Sequence, residues 1–233
     1  MHGRKIGKDE SYVHFLYEYI EGMGFDDVLM ELQEVTDEQA IFYIGQIIFM
    51  LEYLHANKII YRDLKPTNLI CNSRGYLRLV DFGASKFMTH DRTFTVIGTP
   101  HYTAPEVLKQ TGYSYEADYW SLGVMIYEIL IGLTPFGCDM DDVYGIYKEI
   151  MNAEVVFPPF YTNQHGIKLM KRLLSKSPYN RLGNDPGIFK AGEYFNDVDW
   201  QKLLNQELEA PYCPQLNKKK DDSNIDIFGE EID

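Results

Sequence analysis

Four residues in two short stretches have the types and spacing for phosphate chemistry: Asp63, Lys65 and Asn68 in "YRDLKPTNLI", and Asp81 in "VDFG". Moving a phosphoryl group requires a carboxylate to orient an attacking hydroxyl and accept its proton. It also requires a cation on the migrating phosphate and oxygen ligands for a metal ion. Asp63, Lys65 and Asn68 supply one of each within a single loop, and Asp81 offers a second metal ligand. Gly83 lets the backbone after Asp81 turn sharply, while Phe82 can anchor that turn in a core.

These loops need elements to hold them. "SYVHFLYEYI" is rich in Tyr, Val, Phe and Ile and predicts a strand over Tyr12–Tyr17 that leaves its sheet at Glu21-Gly22. "GFDDVLMELQEV" has the pattern of a short amphipathic helix. Thr36 with Gln39 forms a capping box, and apolar residues at helical spacing (Ala40, Ile44, Ile47, Ile48, Leu51, Leu54) predict a long buried helix to His55. From Lys58 to Gly83, short apolar runs broken at Asn72-Ser73-Arg74-Gly75 give a loop, a hairpin and another loop. A polar, Thr-rich passage follows from Met88 to Pro105. Three more helices are expected: an almost wholly apolar one over Asp118–Gly132, and amphipathic ones over Asp141–Asn152 and Gln164–Ser175. From about Leu208 to Asp233 the chain reads as an extended tail with little core of its own.

The bounds are those of a globular domain. The chain has 233 residues, 45% of them hydrophobic and 24% charged. A formal net charge of −13 argues against a nucleic-acid partner, since binding a polyanion takes a basic surface, and is compatible with cationic substrates. Cys71, Cys138 and Cys213 are odd in number and widely spaced, suggesting neither a disulfide framework nor a zinc site and fitting a reducing, cytoplasmic setting. Apolar stretches interrupted by Gln46, Glu52 or Glu128 predict no membrane span.

"YRDLKPTNL", "VDFGASK" and "GTPHYTAPEVL", in this order and spacing, resemble the catalytic loop, metal-binding loop and activation-segment end of eukaryotic protein kinases. Lys65 and Thr99 are similar to the serine/threonine kinases, and Tyr61, in place of the common His, is typical of the AGC group. "ADYWSLG" and "RGYLRLVDFG" look closest to cyclic-GMP-dependent kinases, with cyclic-AMP-dependent catalytic subunits next, and "APYCP" and "SNIDIF" resemble the AGC carboxy-terminal extension. The resemblance implies an α+β kinase-like fold with a mainly helical large lobe and short hairpins. Residues 1–22 would be a remnant of the small lobe and hinge, 23–208 the large lobe and 209–233 the tail.

It also implies roles. Asp63 is the expected catalytic base and Lys65 its phosphate-contacting partner, with Asn68 and Asp81 holding Mg2+. Glu18 and Ile20 would offer backbone groups to the adenine of ATP, Tyr17 would sit behind it, and Ile70 would form the pocket floor. Arg62 and Lys86 would converge on a phosphorylated Thr95, a site whose alanine variant should lose activity while Thr93→Ala should not. Glu106 and Arg181 are expected as a buried ion pair, and Asp118 as the cap of the catalytic loop. In basophilic relatives three acidic positions receive upstream arginines of the substrate. Glu128 keeps one, but Gly24 and Thr67 stand at the others, implying a weaker demand for arginine.

No GxGxxG and no VAIK occur, and Lys5 and Lys8 stand too close to the Tyr12 strand for the intervening helix and its glutamate, so they read as solvated terminal residues. Three readings follow. The first is an ATP-dependent serine/threonine kinase acting on protein substrates, represented by a truncated chain of weak or no autonomous activity. The second is a non-catalytic kinase-like binding module, against which the intact Asp63, Lys65, Asn68 and Asp81 argue. The third is a half-kinase that needs a separate small lobe, or a regulatory subunit, as partner.

Overall fold

The structure, a computed structural model, describes residues 18–182 and 190–215 together with two strands near the start of the chain. Those strands, β1 (Lys5–Lys8) and β2 (Val13–Leu16), pair antiparallel with Lys5 opposite Leu16 and Lys8 opposite Val13. The sequence indicated β2; the run "KIGK" is short, with a lysine at each end, and its pairing shows only in three dimensions. Tyr17 and residues 216–233, which carry the rest of the expected tail, lie outside the described residues.

A three-stranded antiparallel sheet follows, ordered β3 (Gly22–Gly24), β5 (Leu69–Asn72) and β6 (Leu77–Leu79). A two-stranded ladder joins β4 (Ile59–Ile60) to β7 (Lys86–Phe87). The remainder is helical: α1 (Phe25–Leu32), α2 (Asp37–Ala56), α3 (Pro105–Leu108), α4 (Glu116–Ile131), α5 (Val143–Asn152), α6 (Gln164–Leu173) and α7 (Trp200–Leu204). The fold is α+β, a mainly helical kinase-like lobe with short β hairpins.

Local chemistry sets the boundaries. The capping box is made as its sequence suggests: Thr36 Oγ1 accepts from the Gln39 amide at 3.3 Å and Gln39 Oε1 from the Thr36 amide at 3.0 Å, an arrangement worth about 1 kcal/mol. Asp142 and Asn163 cap α5 and α6 by accepting backbone amides of the first turn on their side-chain oxygens, which starts those helices on the next residue. The chain leaves α4 at Gly132, whose left-handed φ of 86° suits glycine. The core runs through α2 and α4, both nearly buried all round, with Trp120, Tyr43, Ile44, Ile47 and Leu51 at or near zero exposure. Residues Leu208 to Gln215 form no helix or strand, yet Leu208, Ala210 and Tyr212 pack on this core. The tail therefore has more footing here than its composition indicates.

Candidate active site

Asp118, fully buried in the first turn of α4, is the anchor of the site. Its Oδ2 accepts from the Tyr61 amide at 2.9 Å and its Oδ1 from the Arg62 amide at 2.7 Å, while His55 Nε2 of α2 lies 2.7 Å away. A buried carboxylate persists only with such partners, so the grip fixes the loop that starts at Tyr61. Arg62 is held in the left-handed region at φ 72°, an unusual conformation for a side-chain-bearing residue and one that the surrounding contacts must maintain.

The held loop presents Asp63, whose side chain keeps 15% exposure. Oδ1 accepts from the Thr99 amide at 3.0 Å and the Thr99 hydroxyl at 2.7 Å. Oδ2 accepts from Asn68 Nδ2 at 3.0 Å and lies 3.1 Å from Lys65 Nζ, which donates to Thr99 Oγ1 at 2.7 Å. Burial acts to raise the Asp63 pKa, but the bonds from Thr99, Lys65 and Asn68 together outweigh it and hold the carboxyl below its ordinary value. It is thus ionised at neutral pH. In the sequence, Thr99 counted only as a mark of acceptor class; its place on Asp63 is visible in the fold alone.

Asp81 is tied to this loop through its neighbour. Val80 N donates to the Asn68 carbonyl at 3.0 Å, and the Tyr61 hydroxyl donates to the Val80 carbonyl at 2.5 Å. Tyr61 also packs edge-on against Phe82, with ring centroids 5.5 Å apart. Burial, followed by the charges of Asp63 and Asp81, pushes the Tyr61 phenol pKa up, so the hydroxyl stays a donor. Asp81 itself is exposed, has a φ of 52° and accepts the Gly83 amide at 3.0 Å through Oδ1, closing a short turn.

The donor set can be tested against a metal. No group of three or more His, Cys, Asp or Glu side chains among the described residues could hold one unaided. Magnesium does not need such a cage: it keeps waters and takes one or two carboxylates plus phosphate oxygens. Asn68 uses its Nδ2 on Asp63, which leaves the amide oxygen as its acceptor, and the exposed Asp81 carboxylate completes a fitting oxygen pair.

The segment leading into β3 comes close to the strand that follows the Asp63 loop. β3 pairs with β5, Gly24 opposite Ile70 and Gly22 opposite Asn72. A Cβ on Gly22 would lie 2.4 Å from Ile70 Cγ2 and 2.5 Å from the Cys71 carbonyl, so glycine is what permits the approach. Glu18 is exposed and Ile20 and Ile70 are half-buried beside that contact.

Around the activation segment the pieces sit as follows. Lys86 Nζ donates to the hydroxyl of buried Thr93 at 2.9 Å, and Thr93 exchanges two backbone bonds with Tyr113. Thr95 is exposed; its carbonyl accepts the Tyr113 hydroxyl at 2.5 Å, which Arg62 reaches at 3.4 Å. Arg181 forms a two-armed bond to Glu106, 2.5 and 2.9 Å, with both side chains nearly fully buried. Glu128 receives the Tyr102 hydroxyl; burial raises its carboxyl pKa more than Tyr102 lowers it. No helix among the described residues is long and apolar enough to cross a membrane.

The protein kinase domain model matches residues 3–194. The chain belongs to the protein kinase family. It is 38% identical over 227 residues to a cGMP-dependent protein kinase of Plasmodium berghei, which covers 96% of this chain and 26% of that protein. It is 40% identical over 224 residues to a cGMP-dependent protein kinase of Toxoplasma gondii, 95% of this chain and 22% of the other. With cAMP-dependent protein kinase type 3 of Saccharomyces cerevisiae it shares 39% over 228 residues, 96% of this chain and 56% of the relative. The kinase domain described here thus spans a quarter or so of the cGMP-dependent relatives' length. Both kinds of cyclic-nucleotide-dependent relative suggested by the AGC-type motifs are among these matches.

Proposed function

We propose that this kinase domain transfers the γ-phosphoryl group of ATP to serine or threonine hydroxyls of protein substrates, in the cytoplasm and in the manner of cyclic-nucleotide-dependent kinases. The observation that carries the reading is Asp63, an ionised carboxylate held at the cleft by Thr99, Lys65 and Asn68. Such a group can orient a substrate hydroxyl and take its proton as the oxygen attacks. Lys65 would steady the charge on the migrating phosphate, and Asn68 and Asp81 would hold magnesium. When bound, magnesium neutralises charge on the phosphate oxygens. Backbone groups of Glu18 and Ile20 meet the adenine and Ile70 lies beneath it. Glu128 receives a cationic residue of the substrate.

Residues 1–22 contain no Gly-rich loop, and positioning is most of this catalysis. The chain on its own should accordingly bind nucleotide weakly and turn over slowly, and a separate small lobe or regulatory subunit should strengthen it. The test is titration of magnesium–ATP onto this chain and onto Asp81→Asn, with transfer to a Ser/Thr peptide measured in parallel. Binding should fall in Asp81→Asn; Asp63→Asn should bind as the parent does but lose transfer. Equal magnesium-dependent binding by the parent and Asp81→Asn would overturn the proposal.

A further inference from the structure

Away from the cleft, a groove of about 560 Å³ opens between the first turn of α2, the turn at Glu193–Phe195, α7 and the segment reaching Pro211. Its floor is apolar: Ile41, Phe42, Val198, Leu203 and Leu208. Its rim is acidic, with Glu38, Asp197 and Glu209 exposed and, among the described residues, in no ion pair; no described lysine or arginine lines it. Glu193 and Asp199 add two more carboxylates, engaged by Lys168 and Lys202. None of these residues takes part in the chemistry above.

We propose that this groove is a docking site for a basic amphipathic segment of a partner protein, distinct from the phosphate-transfer cleft. An apolar floor whose acidic rim includes Glu38, Asp197 and Glu209 outside the ion pairs of the described residues favours a chain that presents leucine-like anchors on one face and lysine or arginine beside them. The volume suits two or three such side chains. The described residues after Pro211 turn away from the groove, with Tyr212 reaching Glu31 of α1 and its backbone crossing close to Gly75. A second copy would bring another strongly acidic surface, since each carries −13.

The experiment uses a fluorescein-labelled helical peptide of leucine and lysine with one apolar face, and two controls: the same composition scrambled to destroy that face, and glutamate in place of lysine. Anisotropy should show saturable binding of the first peptide alone. Glu38→Lys combined with Glu209→Lys should weaken it about tenfold or more, whereas Asp139→Lys combined with Asp141→Lys, an equal charge change on exposed residues elsewhere, should leave it nearly unchanged. Ile41→Gln should weaken it by more than its loss of stability accounts for, with the folded fraction checked by denaturant titration. Equal effects of the two charge-reversal pairs, or equal binding of the scrambled peptide, would overturn the proposal in favour of unspecific attraction to an acidic protein. Self-association abolished by the Glu38/Glu209 pair, without peptide binding, would overturn it in favour of a second copy.

Discussion

The catalytic loop and the activation segment lie against each other yet are held very differently. From Tyr61 to Asp81 the backbone is fixed by buried polar partners: Asp118 under Tyr61 and Arg62, Val80 between Tyr61 and Asn68, and Thr99 on Asp63. From Phe94 to Ile97, by contrast, the apolar side chains stand in solvent, Phe94 at 61%, Val96 at 43% and Ile97 at 36%. Among the described residues, the Thr93–Tyr113 bridge, the Lys86 bond to Thr93, the two bonds of Arg92 and the Tyr113 contact to Thr95 pin that stretch down. The carboxylate proposed as the acid–base group is already held in place; the segment that borders it is loosely fastened, which is where a phosphate of the kind proposed for Thr95 would gain bonds to Arg62 and Lys86.

Breaking the fixed side should have the greatest effect. Asp118→Ala leaves the Tyr61 and Arg62 amides and His55 without their partner, and denaturant titration should show a loss of about 3–5 kcal/mol. Asp63→Asn should separate chemistry from scaffold. Transfer to a peptide should fall about 100- to 10,000-fold, with a far smaller lowering of the unfolding midpoint at neutral pH. A parallel loss of stability would show that the carboxylate serves the fold more than the reaction. Its pH signature has a defined sign. The folded Asp63 pKa is depressed, so its contribution to stability is complete above its ordinary value of 3.8 and vanishes as pH falls through the lower folded value. Acid titration of parent and Asp63→Asn should therefore converge at the bottom of that window.

Smaller changes sharpen the contrast. Tyr61→Phe deletes the bond to Val80 and should cost about 0.5–1.5 kcal/mol while moving nucleotide affinity through Asp81. Thr93→Ala should cost about 1 kcal/mol, because Thr93 is buried and bonded to Lys86. The structure thus gives Thr93 a part in stability that its place in the sequence does not convey. Thr95→Ala should shift stability by under about 0.5 kcal/mol yet lower activity in preparations where Thr95 carries phosphate; mass spectrometry paired with a peptide assay decides it.

Much of this was legible in the residues. The long core helices were readable because apolar spacing and the Thr36–Gln39 box are local signals, and the helix over Asp118–Gly132 differs from α4 only at its ends. The residues proposed to carry the chemistry stand out because a loop must bring them within a few positions of one another. What stayed hidden is what the fold brings from afar. Thr99 meets Asp63 across 36 positions, and Tyr61 meets Val80 across 19. The pairs β3–β5 and β4–β7 are too short for any periodicity to announce. The acid-rimmed groove gathers α2 and residues after 190, which no window of sequence contains.

One detail of the tail bears on how the molecule is made. The turn of the β5–β6 hairpin is closed over by residues near the far end of the described chain: Tyr76 donates its hydroxyl to the Leu208 carbonyl and Arg74 reaches the Gln206 carbonyl, each across 132 positions. A Cβ on Gly75 would meet Ala210 at 2.3 Å. Contacts that span so much chain carry a large closure entropy and form late. During synthesis, the hairpin beside the catalytic loop waits for residue 212 to leave the ribosome before its outer edge is covered, and until then the half-built lobe leaves that edge open to chaperones.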